Sequence, residues 1–300
     1  MSQTLESSAA PSVVPAARAE ARSAVLRQAA GELLGTYVLV FFGVGAVHAA
    51  VLTGAQSGLW QVAVVWGLAI SLAIYATGAL CGAHINPAIT IAFVAMRRFC
   101  PRRAAVYVAF QFLGAFAAAG TLHALYSNAI VHFERANGLV RGRAGSELSA
   151  MVYGEYFPNP AVAKAAGWRP EVVSHTQAML GEGIGTAFLA FFVFALTDVR
   201  NPGRPSGTLF ALFIGLTVSI VISIVAPLTQ AGLNPARDLA PRVFAYLAGW
   251  GGVAIPGPRG GFFTVYVLAP LLGALAGAGV YSFVIRPGFV ALSDSAEKQG

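Results

Sequence analysis

The sequence predicts an all-α membrane protein: six transmembrane helices plus two re-entrant half-helices, arranged as an inverted three-span repeat. Three observations carry this prediction. The chain of 300 residues is 57% hydrophobic and only 10% charged, with a mean hydropathy of +0.69, whereas soluble domains carry about 25% charged residues. The charges stand at the ends of long tracts. No Asp, Glu, Lys or Arg occurs from Leu33 to Met96, Ala104 to Phe133, Pro205 to Ala236 or Gly260 to Ile285. The two halves of the chain also repeat the same landmarks in the same order.

The elements follow along the chain. Residues 1–26 are rich in Ala, Ser and Pro and lack the compact apolar core and cleavage site of a signal peptide, so they read as a disordered cytoplasmic tail. A spanning helix needs roughly 20 apolar residues, which places spans at about 27–51 and 60–80. The uncharged tract from Leu33 to Met96, 64 residues long, is too long for two spans and too short for three. Its surplus starts at Asn86-Pro87 and ends near Met96, which fits a re-entrant half-helix. A third span at 104–126 closes the first repeat, about 27–126, and a long outer loop fills 127–174. The second repeat, about 175–285, has spans at 175–197, 207–227 and 261–285, with a second half-helix from Asn234-Pro235 to about Leu247. The membrane-embedded body is therefore 27–285, and 286–300 is a second cytoplasmic tail.

Orientation follows from Lys and Arg in short loops. With the N-terminus inside, the cytoplasmic segments hold Arg97, Arg98, Arg102, Arg103, Arg200, Arg204 and Arg286. Most outer cations lie in one long loop, where they count for less. Both termini are thus expected in the cytoplasm, with the chain in the plasma membrane.

The repeat is specific. Gly31-Glu32-Leu33-Leu34-Gly35-Thr36 recurs as Gly181-Glu182-Gly183-Ile184-Gly185-Thr186. Gly67-Leu68 with Ser71 recurs as Gly215-Leu216 with Ser219, and Asn86-Pro87-Ala88 recurs as Asn234-Pro235-Ala236. Each unit has an odd number of spans, so the two sit inverted in the bilayer, an arrangement that puts the functional site near the midplane. Asn is a favoured helix N-cap, and Pro fits directly after it. Both tripeptides therefore start helices deep in the membrane, facing one another. Their partial positive ends repel cations, hydronium included. Each Asn amide keeps an NH₂ to donate to a passing oxygen, and Ile85 and Leu233 supply apolar wall. Glu32 and Glu182, carboxylates inside apolar spans, read as anchors for the irregular backbone before each half-helix; a proton relay would conflict with a proton-repelling centre. His84 presents a ring nitrogen or its carbonyl to the pore, or else packs. His48 and His123 have no repeat partner and read as packing residues.

These residues resemble the major intrinsic protein (aquaporin) family over roughly Gln28 to Ile285. The match rests on Cys81-Gly82-Ala83-His84-Ile85-Asn86-Pro87-Ala88, on Gly232-Leu233-Asn234-Pro235-Ala236-Arg237-Asp238, and on the Glu pair. The resemblance implies the aquaporin fold, a homotetramer with one pore per protomer, and an outer selectivity filter containing Trp66 and Arg237. It is closest in character to the glycerol-conducting branch. Asp238 with Arg242, the stretch Phe244 to Gly251, and Pro158-Asn159-Pro160 in the long outer loop all look like that branch. By spacing from Asn234, the other two filter positions are Ile222 and Ala231, where the branch usually has Gly and a bulky aromatic; Tyr266 stands where it commonly has Pro. A filter of Trp66, Ile222, Ala231 and Arg237 looks closer to nodulin-like members. Glycerol and water are the expected solutes, with neutral metalloid acids, or mainly water, as the alternatives.

Other classes fit poorly. Lys and Arg exceed Asp and Glu, 19 against 12, but they flank apolar tracts instead of forming a nucleic-acid patch. Cys81 and Cys100 have no metal-ligand spacing, no cofactor motif occurs, and the apolar tracts hold no nucleophile–base pair for an enzyme. A secondary transporter would share inverted repeats but needs an ion-coupling site.

Overall fold

The computed structural model describes residues 14–56 and 58–289. Among the described residues, six helices are long and apolar enough to cross a membrane: Arg22–Thr53, Leu59–Cys81, Pro101–Ala136, His175–Thr197, Leu209–Thr229 and Thr264–Phe289. In chain order the α-helices are α1 (Val14–His48), α2 (Leu59–Cys81), α3 (Pro87–Ala95), α4 (Pro101–Ala136), α5 (Glu147–Ala150), α6 (Pro160–Ala166), α7 (His175–Thr197), α8 (Leu209–Thr229), α9 (Pro235–Ala245) and α10 (Ala269–Val280). The half-helices α3 and α9 begin at the two Asn-Pro pairs, as the sequence predicts.

Three boundaries differ from the sequence expectation. Residues 14–26, expected as disordered tail, form the start of α1; they are rich in Ala, the strongest helix former. Residues 1–13 of that tail lie outside the described residues. The third span runs on to Ala136, carrying the helix ten residues into the expected outer loop. The last span continues past Ile285 to Phe289, and 290–300 lie outside the described residues.

Packing follows the repeat. α1 packs on α2 and α4, as α7 packs on α8 and α10; each half-helix crosses over, α3 onto α10 and α9 onto α4. At the centre, α2 crosses α8. A Cβ added to Gly67 would strike Ser219 Oγ and Gly215 O, and one added to Gly215 would strike Gly67 O. With the backbones so close, Ser71 Oγ donates to Ala211 O at 3.1 Å and Ser219 Oγ donates to Ala63 O at 2.9 Å. In lipid no hydrophobic force joins helices, so small residues and interhelical hydrogen bonds hold such crossings. Gly273 and Gly277 likewise meet the backbone of Gly183 and Ala187, so these small residues serve packing within the protomer. Leu34, Phe42, Leu72, Leu180, Phe188 and Ile224 point outward and form the face that lipid would cover.

The outer loop folds back as a plug-like cap. Gln230 Oε1 accepts from Tyr156 N at 2.9 Å, and Gln230 Nε2 donates to Met151 O at 3.1 Å. Trp250 is fully buried; its Nε1 donates to Ser149 Oγ at 3.0 Å, with the Arg141 guanidinium 4.1 Å over its ring.

Candidate conduction site

Each half-helix starts in the same way. Asn86 is extended, with φ −156° and ψ 120°, and its Oδ1 accepts from Ala88 N at 2.8 Å. Asn234 has φ −147° and ψ 108°, and its Oδ1 accepts from Ala236 N and Arg237 N at 3.0 and 3.2 Å. The amide nitrogens then cross between repeats. Asn86 Nδ2 donates to Leu233 O at 3.0 Å, and Asn234 Nδ2 donates to Ile85 O at 2.8 Å. This sharpens the expectation of a free NH₂: one N–H of each amide ties the two helix starts together, and the other is left for solute.

The backbone leading into the starts is strained. Ala83, Ile85, Ala231 and Leu233 have φ between 43° and 60°, a conformation costing about 1–2 kcal/mol for a residue with a Cβ. The buried carboxylates hold it there. Glu32 accepts from His84 N and Ile85 N at 2.8 and 2.7 Å and from Gln111 Nε2 at 2.7 Å. Glu182 accepts from Gly232 N and Leu233 N at 2.9 and 2.8 Å and from Thr229 Oγ1 at 2.6 Å. Both act as the sequence predicts of anchors. With the N–H groups turned to the carboxylates, no donor among the described residues reaches the carbonyls of Ala83, His84, Ala231 or Gly232, which leaves acceptors for a hydroxylated guest.

A cavity of about 90 Å³ joins these parts. It is lined by Asn86 and Asn234 and by all four expected filter residues, Trp66, Ile222, Ala231 and Arg237, with Ile70, Val193 and Val218 as apolar wall. Gly43 makes room for Trp66, since a Cβ there would collide with the indole. The Arg237 guanidinium lies 4.4 Å over the Trp66 ring. His84 lines the same cavity, while its ring stacks on Phe93 at 4.7 Å and meets Phe99 and Tyr107; it both packs and faces the passage. His48 packs inside the bundle, its Nδ1–H donating to Val44 O at 2.9 Å, with the ring set against Tyr126 and Tyr153. His123 packs against Phe244 and reaches Tyr153 Oη at 2.7 Å.

Asp238 does not line the passage. It is buried and pairs with Arg242 at 2.8 Å, while its Oδ1 also accepts from Glu155 N at 2.7 Å. Arg242 then donates to Ala254 O at 3.0 Å and to Glu155 O. The pair is a strut that sets the outer loop on α9.

That strut presents a residue the sequence reading missed. Glu155, 1% exposed, forms an ion pair with Arg237 through Nη2. Burial pushes its carboxyl well above the usual carboxylate range, Arg237 pulls it back, and Asp238 and Glu182 push it further up. Arg237 Nη1 is buried with no protein partner. The available signal was a lone acid between Tyr153 and Tyr156, just before Pro158-Asn159-Pro160, but a loop position gave no register against α9. Tyr266 fills the space beside this pair, with its Oη donating to Thr229 O at 3.1 Å.

Six apolar spans, two half-helices meeting start to start, and a cavity between them define a polytopic membrane channel of the inverted-repeat class. The chain belongs to the major intrinsic protein family, whose model matches residues 20–281. Among curated proteins it is 42% identical over 256 residues to the glycerol uptake facilitator protein of Haemophilus influenzae, covering 85% of this chain and 92% of that one. It is 41% identical over 259 residues to the glycerol uptake facilitator protein of Pseudomonas aeruginosa, covering 86% and 88%. It is 40% identical to the propanediol uptake facilitator PduF of Salmonella typhimurium, covering 86% and 93%. Among solved structures it is similar to the aquaglyceroporin from Plasmodium falciparum, with TM-score 0.74 and 26% identity over 89% of this chain and 99% of that one.

Proposed function

We propose that this protein is a passive channel for glycerol and similar small neutral solutes, with water, excluding protons and ions. The observation that carries the reading is the filter itself. Trp66 offers an apolar face to carbon, Arg237 brings its guanidinium charge to the lining for hydroxyl oxygens, and Ala231 leaves the opposite side open. Ile222 takes back part of that space. At the midplane, the α3 and α9 N-termini, each worth about half a positive charge, oppose cations, and the two amides each offer one remaining N–H. The relatives' names, glycerol and propanediol facilitators, support the same solute class.

We place the chain in the plasma membrane with both termini cytoplasmic, as a homotetramer with one pore per protomer, and with the channel body at about 27–285. A secondary transporter is disfavoured because Glu32 and Glu182 are occupied by backbone and side-chain donors. Arg237 is the one Asp, Glu, Lys or Arg among the residues that line the cavity. A second reading, passage of neutral metalloid acids, draws on Ile222 and Ala231. Stopped-flow measurement on proteoliposomes with glycerol, water, urea and arsenous acid separates the two. Glycerol at least as fast as arsenous acid supports the first; arsenous acid with negligible glycerol flux overturns it.

A further inference from the structure

Beside the filter, on the outer side, lies a second and larger cavity of about 330 Å³. It shares no lining residue with the passage and no solute path was assigned to it. One wall is the loop segment that carries Glu155; the opposite wall is the Pro256–Phe262 segment, and α6 with Trp168 closes the side. Prolines at 158, 160, 170, 256 and 258 stiffen these walls. The segments are also tied together, because Arg259 Nη1 donates to Pro170 O and Val173 O, both at 2.7 Å.

The wall chemistry is mixed. Phe157, Trp168 and Phe262 supply apolar ring surface. Glu147 supplies a carboxylate acceptor, and Glu155 stands in the wall with Oε2 buried and without a hydrogen-bond donor. Lys164 and Arg259 supply donors, and neither has a carboxylate partner among the described residues. A simple anion would meet the carboxylates and a simple cation would meet the Lys and Arg. A purely apolar guest would meet the charged groups of Glu147, Lys164 and Arg259 with nothing to pair them. A neutral molecule with C–H faces for the rings and several hydroxyls, each both donor and acceptor, matches all of the wall. Pockets of this size hold ligands well above three carbons.

We propose that this cavity is a binding site for a neutral polyhydroxylated ligand of monosaccharide or hexitol size, entering from the outer side, too large for the filter. A guest seated against the segment that carries Glu155 shifts that residue's ion pair with Arg237, so the occupied site slows solute passage. The flux arm of the test rests on the channel reading; the binding arm does not.

The binding arm is saturation-transfer NMR of the full chain in nanodiscs with methyl α-glucoside as probe, on the wild type, Trp168→Leu and Ala163→Trp. Neither variant touches the passage. Saturable transfer in the wild type, lost in both variants, is the expected result. Transfer that is absent, or that survives in both variants as adventitious contact does, overturns the site. The flux arm is exchange of labelled glycerol in proteoliposomes at constant osmolality, with methyl α-glucoside outside replaced by glycine betaine. The expected slowing is about fivefold or more, in the wild type only. Binding without any slowing overturns the coupling through Glu155. Proteoliposomes that exchange no glycerol in either medium refute the channel reading and leave the binding arm to decide the site.

Discussion

At the residue scale, the generic and the selective parts of the site separate. The two Asn side chains cap the half-helices and tie them to one another, an arrangement that suits the proposed exclusion of protons but does not choose a solute. In the proposed reading, choice lies with Trp66, Ile222, Ala231 and Arg237, and with Glu155 behind Arg237. Replacing Ala231 with Phe should refill the open side and lower glycerol permeability about tenfold or more while sparing water; paired stopped-flow traces for the two solutes check this. Glu155→Gln should free Arg237 from its ion pair and change the ratio of glycerol to water permeability. The wild type should approach the same ratio as external pH falls, because the raised carboxyl range means the ion pair is lost on protonation. An unchanged ratio in the variant would remove Glu155 from the filter. That Ile222 and Ala231 share a cavity with Asn234 was legible from their spacing to it, since α8, the turn and α9 keep a fixed register, whereas Trp66 and Arg237 entered through the family resemblance. Glu155 was not, because its place depends on Asp238, Arg242 and Gln230 folding a distant loop back onto α9.

At the element scale, the half-helices depend on buried acceptors. Glu182 takes two backbone N–H groups and a hydroxyl. Glu182→Gln offers one acceptor oxygen in place of two and should leave a backbone N–H unpaired. The cost is about 1–3 kcal/mol, read as a lowered Tm in detergent together with altered glycerol flux. Gly67→Leu should be harsher, because the crossing of α2 and α8 leaves no room for a side chain. Loss of folded protein on size-exclusion chromatography is the expected result; a normally folded variant would contradict the crossing. The pattern of spans and half-spans was readable because lipid forces every backbone group into a helix unless it lines a cavity. Helix ends were less readable. Ala-rich residues 14–26 and the polar end of α4 are helical for local reasons that hydropathy does not register.

At the scale of the whole molecule, the proposed orientation puts both termini in the cytoplasm, and the two cysteines report on it. Cys81 is buried between helices and Cys100 is exposed at the start of α4. The backbone N–H groups of Arg103 and Arg102 hold the Cys100 thiol below its ordinary range, favouring the reactive thiolate. A membrane-impermeant maleimide should therefore label inside-out vesicles at Cys100 and spare right-side-out cells. Labelling from outside would reverse the proposed topology.

The central claim is passive conduction of a neutral solute through a passage closed to protons, and proteoliposomes loaded with a pH-sensitive dye test it most directly. With a glycerol gradient and no ion gradient, the account predicts glycerol entry far faster than in protein-free liposomes. With an imposed pH gradient and no glycerol, it predicts proton leak no faster than in the same controls. Glycerol entry that requires a sodium or proton gradient, or a proton leak that tracks protein content, would contradict it.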